Sequence, residues 1–187
     1  GDQLDKALYY HEHGDDPADD ELITDEFSAH AWPELEIDDE TGTLLAAVHE
    51  GTTHTELYRV DEDAADPLVP LFTGEEATFG PHVGEEEVHF LTNYKAPFSR
   101  VLTADIEMLA TGADLDPEAF TETIPETDAV LQDITVAGDA VVANHLRDAS
   151  SELSVWDGGE QTETLPSPEF CTIDGLDADD DGGELFY

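Results

Sequence analysis

Short apolar runs alternate with polar loops along this chain, and one layout recurs four times: an apolar strand, a polar loop, and a second strand that closes on aspartate. The four units run from Ala7 to Asp25, Leu44 to Asp61, Val88 to Asp105 and Val141 to Asp157. Residues 56–60 and 151–156 alternate in part between apolar and polar positions and are rich in β-branched and aromatic side chains, the pattern of a half-buried strand. The closing aspartates are spaced by 36, 44 and 52 residues, and periods in the forties mark repeated supersecondary units.

A third strand is predicted after each of the last three hairpins, at Leu68 to Phe72, Phe120 to Ile124 and Gln161 to Leu165. Two of these are near copies, since Thr121-Glu122-Thr123-Ile124-Pro125 recurs as Thr162-Glu163-Thr164-Leu165-Pro166. Proline closes both, which an edge strand tolerates. A fourth strand leads into each hairpin, at Glu34 to Ile37, Ala77 to His82, Val130 to Val136 and Phe170 to Ile173. Helical periodicity is weak; Ile106 to Ala113 carries some, but its glycine and the Asp116-Pro117 pair predict a loop.

Four strands per repeat predict an all-β fold: a partial β-propeller of about four blades, each of four antiparallel strands, forming one domain over residues 1–187. Residue 7 already falls in a middle strand, and Glu184 to Tyr187 begins a hairpin, so both ends are expected to cut a blade. Cut blades expose strand edges, and self-association through them is expected.

Charge changes the picture of where such a fold works. The chain carries 48 acidic against 5 basic residues, a net charge of −43 on 187 residues. Repulsion of that size is tolerable where molar salt shortens the Debye length to ~3 Å, so a cytoplasmic, high-salt setting is expected. Disorder also accompanies high charge, but 15 aromatic residues and regular apolar runs oppose it. The scattered Lys6, Arg59, Lys95, Arg100 and Arg147 cannot build a positive footprint, which excludes nucleic acid and anionic membrane surfaces as partners. Cys171, alone and between apolar neighbours, reads as a small core residue.

Candidate chemistry is sparse, and no cofactor is expected. Asp177, Asp179 and Asp181 alternate ahead of Gly182 as in a calcium loop, but the bidentate glutamate would fall at position 188, so the run reads as a hydrated hairpin turn. His11 and His13 would emerge on one face of a strand, with His82 and His89 as partners only if the fold brought them close. Carboxylate pairs suited to a propeller glycosidase cannot be singled out among so many acids.

Four patches carry a family resemblance: Leu8 to Ile23; Thr92-Asn93-Tyr94 through Ala96-Pro97 and Arg100; His145 to Leu153; and Thr164 to Phe170 leading to Glu184 to Tyr187. In order and spacing they resemble the propeller domain of the prolyl oligopeptidase family of serine peptidases. That resemblance implies a propeller of seven blades in the parent, capping an α/β-hydrolase domain and restricting it to short peptides cut after proline. The hydrolase domain and the peptide are then the implied partners. No serine here sits in a G-x-S-x-G elbow, so no catalytic residue is assigned. The resemblance further implies substrate-facing roles for His49 and Thr52, around the Glu50-Gly51 turn, and for Trp32; ordinary packing or exposure is the competing reading for each. A stand-alone protein-interaction platform is the alternative at the level of function.

Overall fold

The computed structural model describes residues 6–38, 41–61, 64, 66–168, 170–179 and 183–187. Sixteen strands occur among them, and three four-stranded antiparallel sheets dominate. The first sheet orders β3 (Ala31–Ile37), β4 (Leu44–Glu50), β5 (His54–Val60) and β6 (Leu68–Phe72). In the second, β7 (Phe79–Val83), β8 (Glu87–Thr92), β9 (Arg100–Asp105) and β10 (Thr121–Ile124) follow in sequence, as do β11 (Val130–Ala137), β12 (Ala140–Arg147), β13 (Ser150–Asp157) and β14 (Glu160–Leu165) in the third. Two-stranded sheets flank them, β1 (Leu8–Tyr10) with β2 (Glu21–Thr24) and β15 (Asp177–Ala178) with β16 (Leu185–Phe186). The all-β, four-strand repeat predicted from the sequence is therefore present.

Each sheet meanders, so every connection joins neighbouring antiparallel strands and the four-strand unit forms locally. Proline placement agrees with the order: Pro33, Pro70 and Pro81 fall on β3, β6 and β7, all edge strands, where a missing N–H costs no ladder bond. The sheets stack face to face. Leu45, Ala47 and Leu57 of the first meet Val88, Phe90 and Leu102 of the second, all at most 2% exposed. The residues between them along β9, Val101 and Thr103, point to the opposite face, where Val101 joins Leu131, Ile134 and Ala143 of the third sheet. Period-2 alternation thus makes the middle sheet buried on both sides. Strand β7 packs against β3, β4 and β5 on one side and β11 on the other, so the edges β3, β7 and β11 are drawn together.

Phenylalanines fill the first interface: the Phe90 ring stacks on Phe120 at 5.6 Å and meets Phe72 edge-on at 6.0 Å, while Phe72 lies 4.5 Å from Phe79.

Residues Ile106–Thr111, expected as a loop, form a helix, α1. The Asp105 side chain caps it by accepting from the Glu107 amide at 2.7 Å, and Ile106 and Leu109 bury one side against the first interface. Helix α1 ends at Gly112, whose amide donates to the Met108 carbonyl at 2.8 Å; a Cβ at this glycine would stand 2.5 Å from that oxygen. Among the described residues no helix is long and apolar enough to cross a membrane.

The expected strand at Phe170 to Ile173 is absent. Phe170 is 91% exposed and takes φ +57°, while the Ser151 amide donates to the Cys171 carbonyl at 2.8 Å and the Ser151 hydroxyl accepts from the Ile173 amide at 2.9 Å. Ser151, through its amide and its hydroxyl, takes these backbone groups in place of a ladder, and the strand preceding β16 forms instead at β15. Cys171 is half-buried rather than a core residue.

Candidate functional site

Register along the first sheet assembles the site. Trp32 on β3 lies opposite His49 on β4, which lies opposite Thr55 on β5. Glu34, two residues beyond Trp32, shares the same face. Trp32 and His49 are thus brought together as cross-strand neighbours. Thr52 stands in the exposed turn beyond the last ladder pair, Glu50 and His54, where Gly51 takes φ +68°.

His49 is fixed at both ring nitrogens. Its Nε2 lies 3.1 Å from Glu34 Oε2 and its Nδ1 2.9 Å from Thr55 Oγ1. A neutral imidazole satisfies both contacts, with Nε2–H donating to the carboxylate and Nδ1 accepting from the hydroxyl. The carboxylate, imidazole and hydroxyl follow one another as in a nucleophilic triad, but Thr55 is 0% exposed, so its hydroxyl reaches no substrate. What the array does is hold the imidazole still, with the Glu34 carboxylate half exposed beside it. The sequence reading singled out Trp32 and His49 and missed Glu34 and Thr55; the signal was the period of two, which fixes Glu34 to the face of Trp32.

Trp32 is 70% exposed, large for an aromatic, and the Lys6 ammonium sits 4.9 Å from its ring centroid while donating to the Ala31 carbonyl. A cation over an indole face is an attractive arrangement, because the ring quadrupole presents negative potential there.

A second polar group lies between the second and third sheets. His82 and His89 are cross-strand partners on β7 and β8. His89 Nδ1 lies 2.9 Å from Thr103 Oγ1, which in turn lies 2.8 Å from Thr123 Oγ1. Burial pushes the His89 imidazole down to about 4, helped by His82, and burial also lowers His82 against the opposing pull of Asp133 and Glu34. Both stay neutral near pH 7, and they are packed rather than poised for proton transfer.

The other candidates disperse. His11 and His13 lie in the loop after β1, not on a strand, and His11 is spent on Asp20 at 2.7 Å. Among the described residues no three His, Cys, Asp or Glu side chains converge to hold a metal. Asp177 falls on β15, and Asp179 Oδ1 accepts from the Glu184 amide at 2.7 Å; Asp181 and Gly182 lie outside the described residues. A cleft of about 370 Å³ on the third sheet, closed on one side by the connector at Thr127 and Ala129, is lined by His145, Trp156 and Gln161, and Arg147 at its rim pairs with Asp128 and Glu152 at 2.6 and 3.4 Å.

The sequence model described as the prolyl oligopeptidase N-terminal beta-propeller domain matches residues 1–187. No curated protein matches the chain. Among solved structures, one from an analysis of two prolyl endopeptidases, concerned with inter-domain dynamics in catalysis and specificity, has a TM-score of 0.79 at 20% identity, over 94% of this chain and 25% of its own. Prolyl oligopeptidase B from Galerina marginata is similar in its apo form, with a TM-score of 0.74 at 20% identity over 96% of this chain and 26% of its own. The same enzyme bound to a 25mer macrocyclization substrate gives 0.73 at 21% identity, over 96% and 25%. The chain spans about a quarter of the length of these structures.

Proposed function

The chain belongs to the prolyl oligopeptidase N-terminal β-propeller family, and on that premise we propose that it gates the access of short proline-containing peptides to an α/β-hydrolase domain of the same parent protein. The family match over the full 187 residues carries the reading. Two features of the fold support it. The edges β3, β7 and β11 are drawn together, as strands lining a central passage must be. Trp32, His49 and Thr52 then lie along or beside one such edge, with an exposed indole and an imidazole held rigid by Glu34 and Thr55. In this reading Trp32 and His49 contact the peptide and Thr52 contacts it from the turn, while bond cleavage belongs to a serine of the hydrolase domain.

Acidity of −43 supports a high-salt cytosol as the setting. Among the described residues the flanking hairpins have only two strands each, and these edges support self-association; light scattering that reports a monomer in molar salt contradicts that part alone.

The parent enzyme tests the proposal. Replacing Trp32 or His49 by alanine should raise KM for prolyl peptides with little change in kcat, because the lost contacts act in binding rather than in chemistry. Unchanged KM for both variants across a series of peptide lengths would overturn their assignment. The isolated 187-residue chain should not turn over a chromogenic prolyl peptide in molar KCl. Turnover that survives repurification and resists a serine-directed inhibitor contradicts the non-catalytic role.

A further inference from the structure

The exposed indole of Trp32 already holds a cation, and the manner in which it does so identifies what else it can hold. Lys6 lays its ammonium over the ring at 4.9 Å and donates to the backbone carbonyl of Ala31, a residue otherwise fully buried. An ammonium has three N–H donors and no acceptor, so a π face plus a carbonyl oxygen satisfies its needs and leaves at least one donor free. Two residues along the same face, the Glu34 carboxylate is half exposed and fixed by His49 at 3.1 Å, adding negative potential where a cation approaches. These groups suit an alkylammonium and disfavour a carboxylate.

We infer that the Trp32 indole face and the Ala31 carbonyl form an ammonium subsite that Lys6 occupies in cis, with the Glu34 carboxylate farther along the same face contributing negative potential rather than an ion pair. A peptide bearing a lysine side chain or a free α-amino group displaces Lys6 and takes its place. The inference deepens the gating reading, since it names cationic peptides as the class this edge favours, and it makes Lys6 an internal competitor. Tethered by the chain, the Lys6 ammonium acts at an effective concentration of roughly millimolar order or above, so removing it strengthens binding of an outside ammonium without creating a contact.

Two tryptophans make the test direct. Nitrogen–proton correlation spectra of the 187-residue chain should show two indole N–H signals; Trp156 donates its Nε1–H to Ser154 at 2.9 Å and serves as the internal control. Trp32→Phe assigns the pair by losing one signal. Three probes are titrated at one fixed salt concentration: acetyl-Gly-Lys-Gly-amide, with a side-chain ammonium; Gly-Gly-Gly-amide, with only an α-ammonium; and acetyl-Gly-norleucine-Gly-amide, with neither. The Trp32 signal should move with either ammonium probe and not with the norleucine probe, while Trp156 stays still. In Lys6→Met the midpoint for the lysine probe should fall about fivefold, and Glu34→Gln should raise it. A norleucine probe that moves Trp32 as far as the lysine probe, or a Lys6→Met midpoint equal to wild type, overturns the subsite. Acetyl-Gly-Pro-Gly-amide, which has no ammonium, separates this failure from that of the gating reading: a Trp32 shift with it preserves the peptide route even where the ammonium preference is lost.

Discussion

The amide of Thr55, at the head of β5, donates to the carbonyl of Ala77 at 2.9 Å, tying the third strand of one sheet to the connector that enters the next. Ser151, at the head of β13, makes the corresponding bond to Cys171 at 2.8 Å. The sheets are therefore joined by backbone bonds at repeating positions as well as by their apolar faces. At Thr55 the same residue also spends its hydroxyl on His49. Thr55→Val keeps the amide bond and the β-branched shape while deleting the hydroxyl, so it should cost about 1 to 2 kcal/mol for one buried hydrogen bond and an unpartnered imidazole nitrogen. Urea unfolding in molar KCl measures it; no loss of midpoint would mean that His49 finds another donor.

Phe90→Ala should cost about 3 to 5 kcal/mol, the range for emptying a buried aromatic site. Its ring is 0% exposed and meets Phe72, Phe79 and Phe120 from two sheets, so the cavity cannot collapse by moving one strand. Because both sheets lose the contact, a single cooperative transition is expected, shifted to lower denaturant, with far-ultraviolet and tryptophan signals still coincident. Separate transitions for the two probes would show that the sheets unfold independently.

Acid should destabilise the fold through His89. Its folded-state value of about 4 lies below the ordinary 6.5 because burial disfavours the imidazolium. Between those values the unfolded chain binds more protons, so stability rises with pH across that window and is lost on acidification from about 6.5 towards 4. Facing groups do not offset this: His82 on β7 is likewise lowered, and Thr103 and Thr123 offer only hydroxyls. His89→Gln removes the titration while leaving a side-chain amide for Thr103. The difference in stability between wild type and His89→Gln should therefore depend on pH between 4 and 6.5 and flatten above it; a difference independent of pH contradicts the assignment.

Much of the fold was legible because the blade repeat is local. The partial alternation of residues 56–60 in β5 and 151–156 in β13, and the Pro125 and Pro166 that close the edge strands β10 and β14, could be read from residues a few positions apart. Elements fixed by distant partners could not. Helix α1 depends on an aspartate cap and on burying Ile106 and Leu109 against another sheet. From the helix the chain runs along β6, where the Asp114 and Leu115 amides donate to the Pro70 and Leu71 carbonyls at 3.0 and 2.5 Å, and no local pattern announces that strap. Phe170 to Ile173 has the composition of a strand, but Ser151 claims its backbone groups. At the site, composition drew attention to Trp32 and His49, whereas Thr55 is an ordinary strand residue until register places it against the imidazole.

Salt should govern stability more than any single side chain. The chain carries −43 charges on 187 residues, and the pairs formed by the few basic side chains, such as Arg147 with Asp128 and Glu152, neutralise only a small share of them. Repulsion between the remaining carboxylates acts over a Debye length of about 10 Å at 0.1 M salt and about 3 Å at 1 M. Unfolding moves these charges apart, so their repulsion favours the unfolded chain at low salt and fades as salt rises. The thermal midpoint should climb steeply between 0.1 and 1 M KCl and continue more slowly above, where screening is nearly complete and only exclusion of salt from apolar surface adds stability. Replacing potassium by choline at equal ionic strength should preserve the steep part, because screening depends on ionic strength rather than on cation identity. A midpoint that rises with KCl and not with choline chloride would instead assign the effect to specific cation binding by carboxylates.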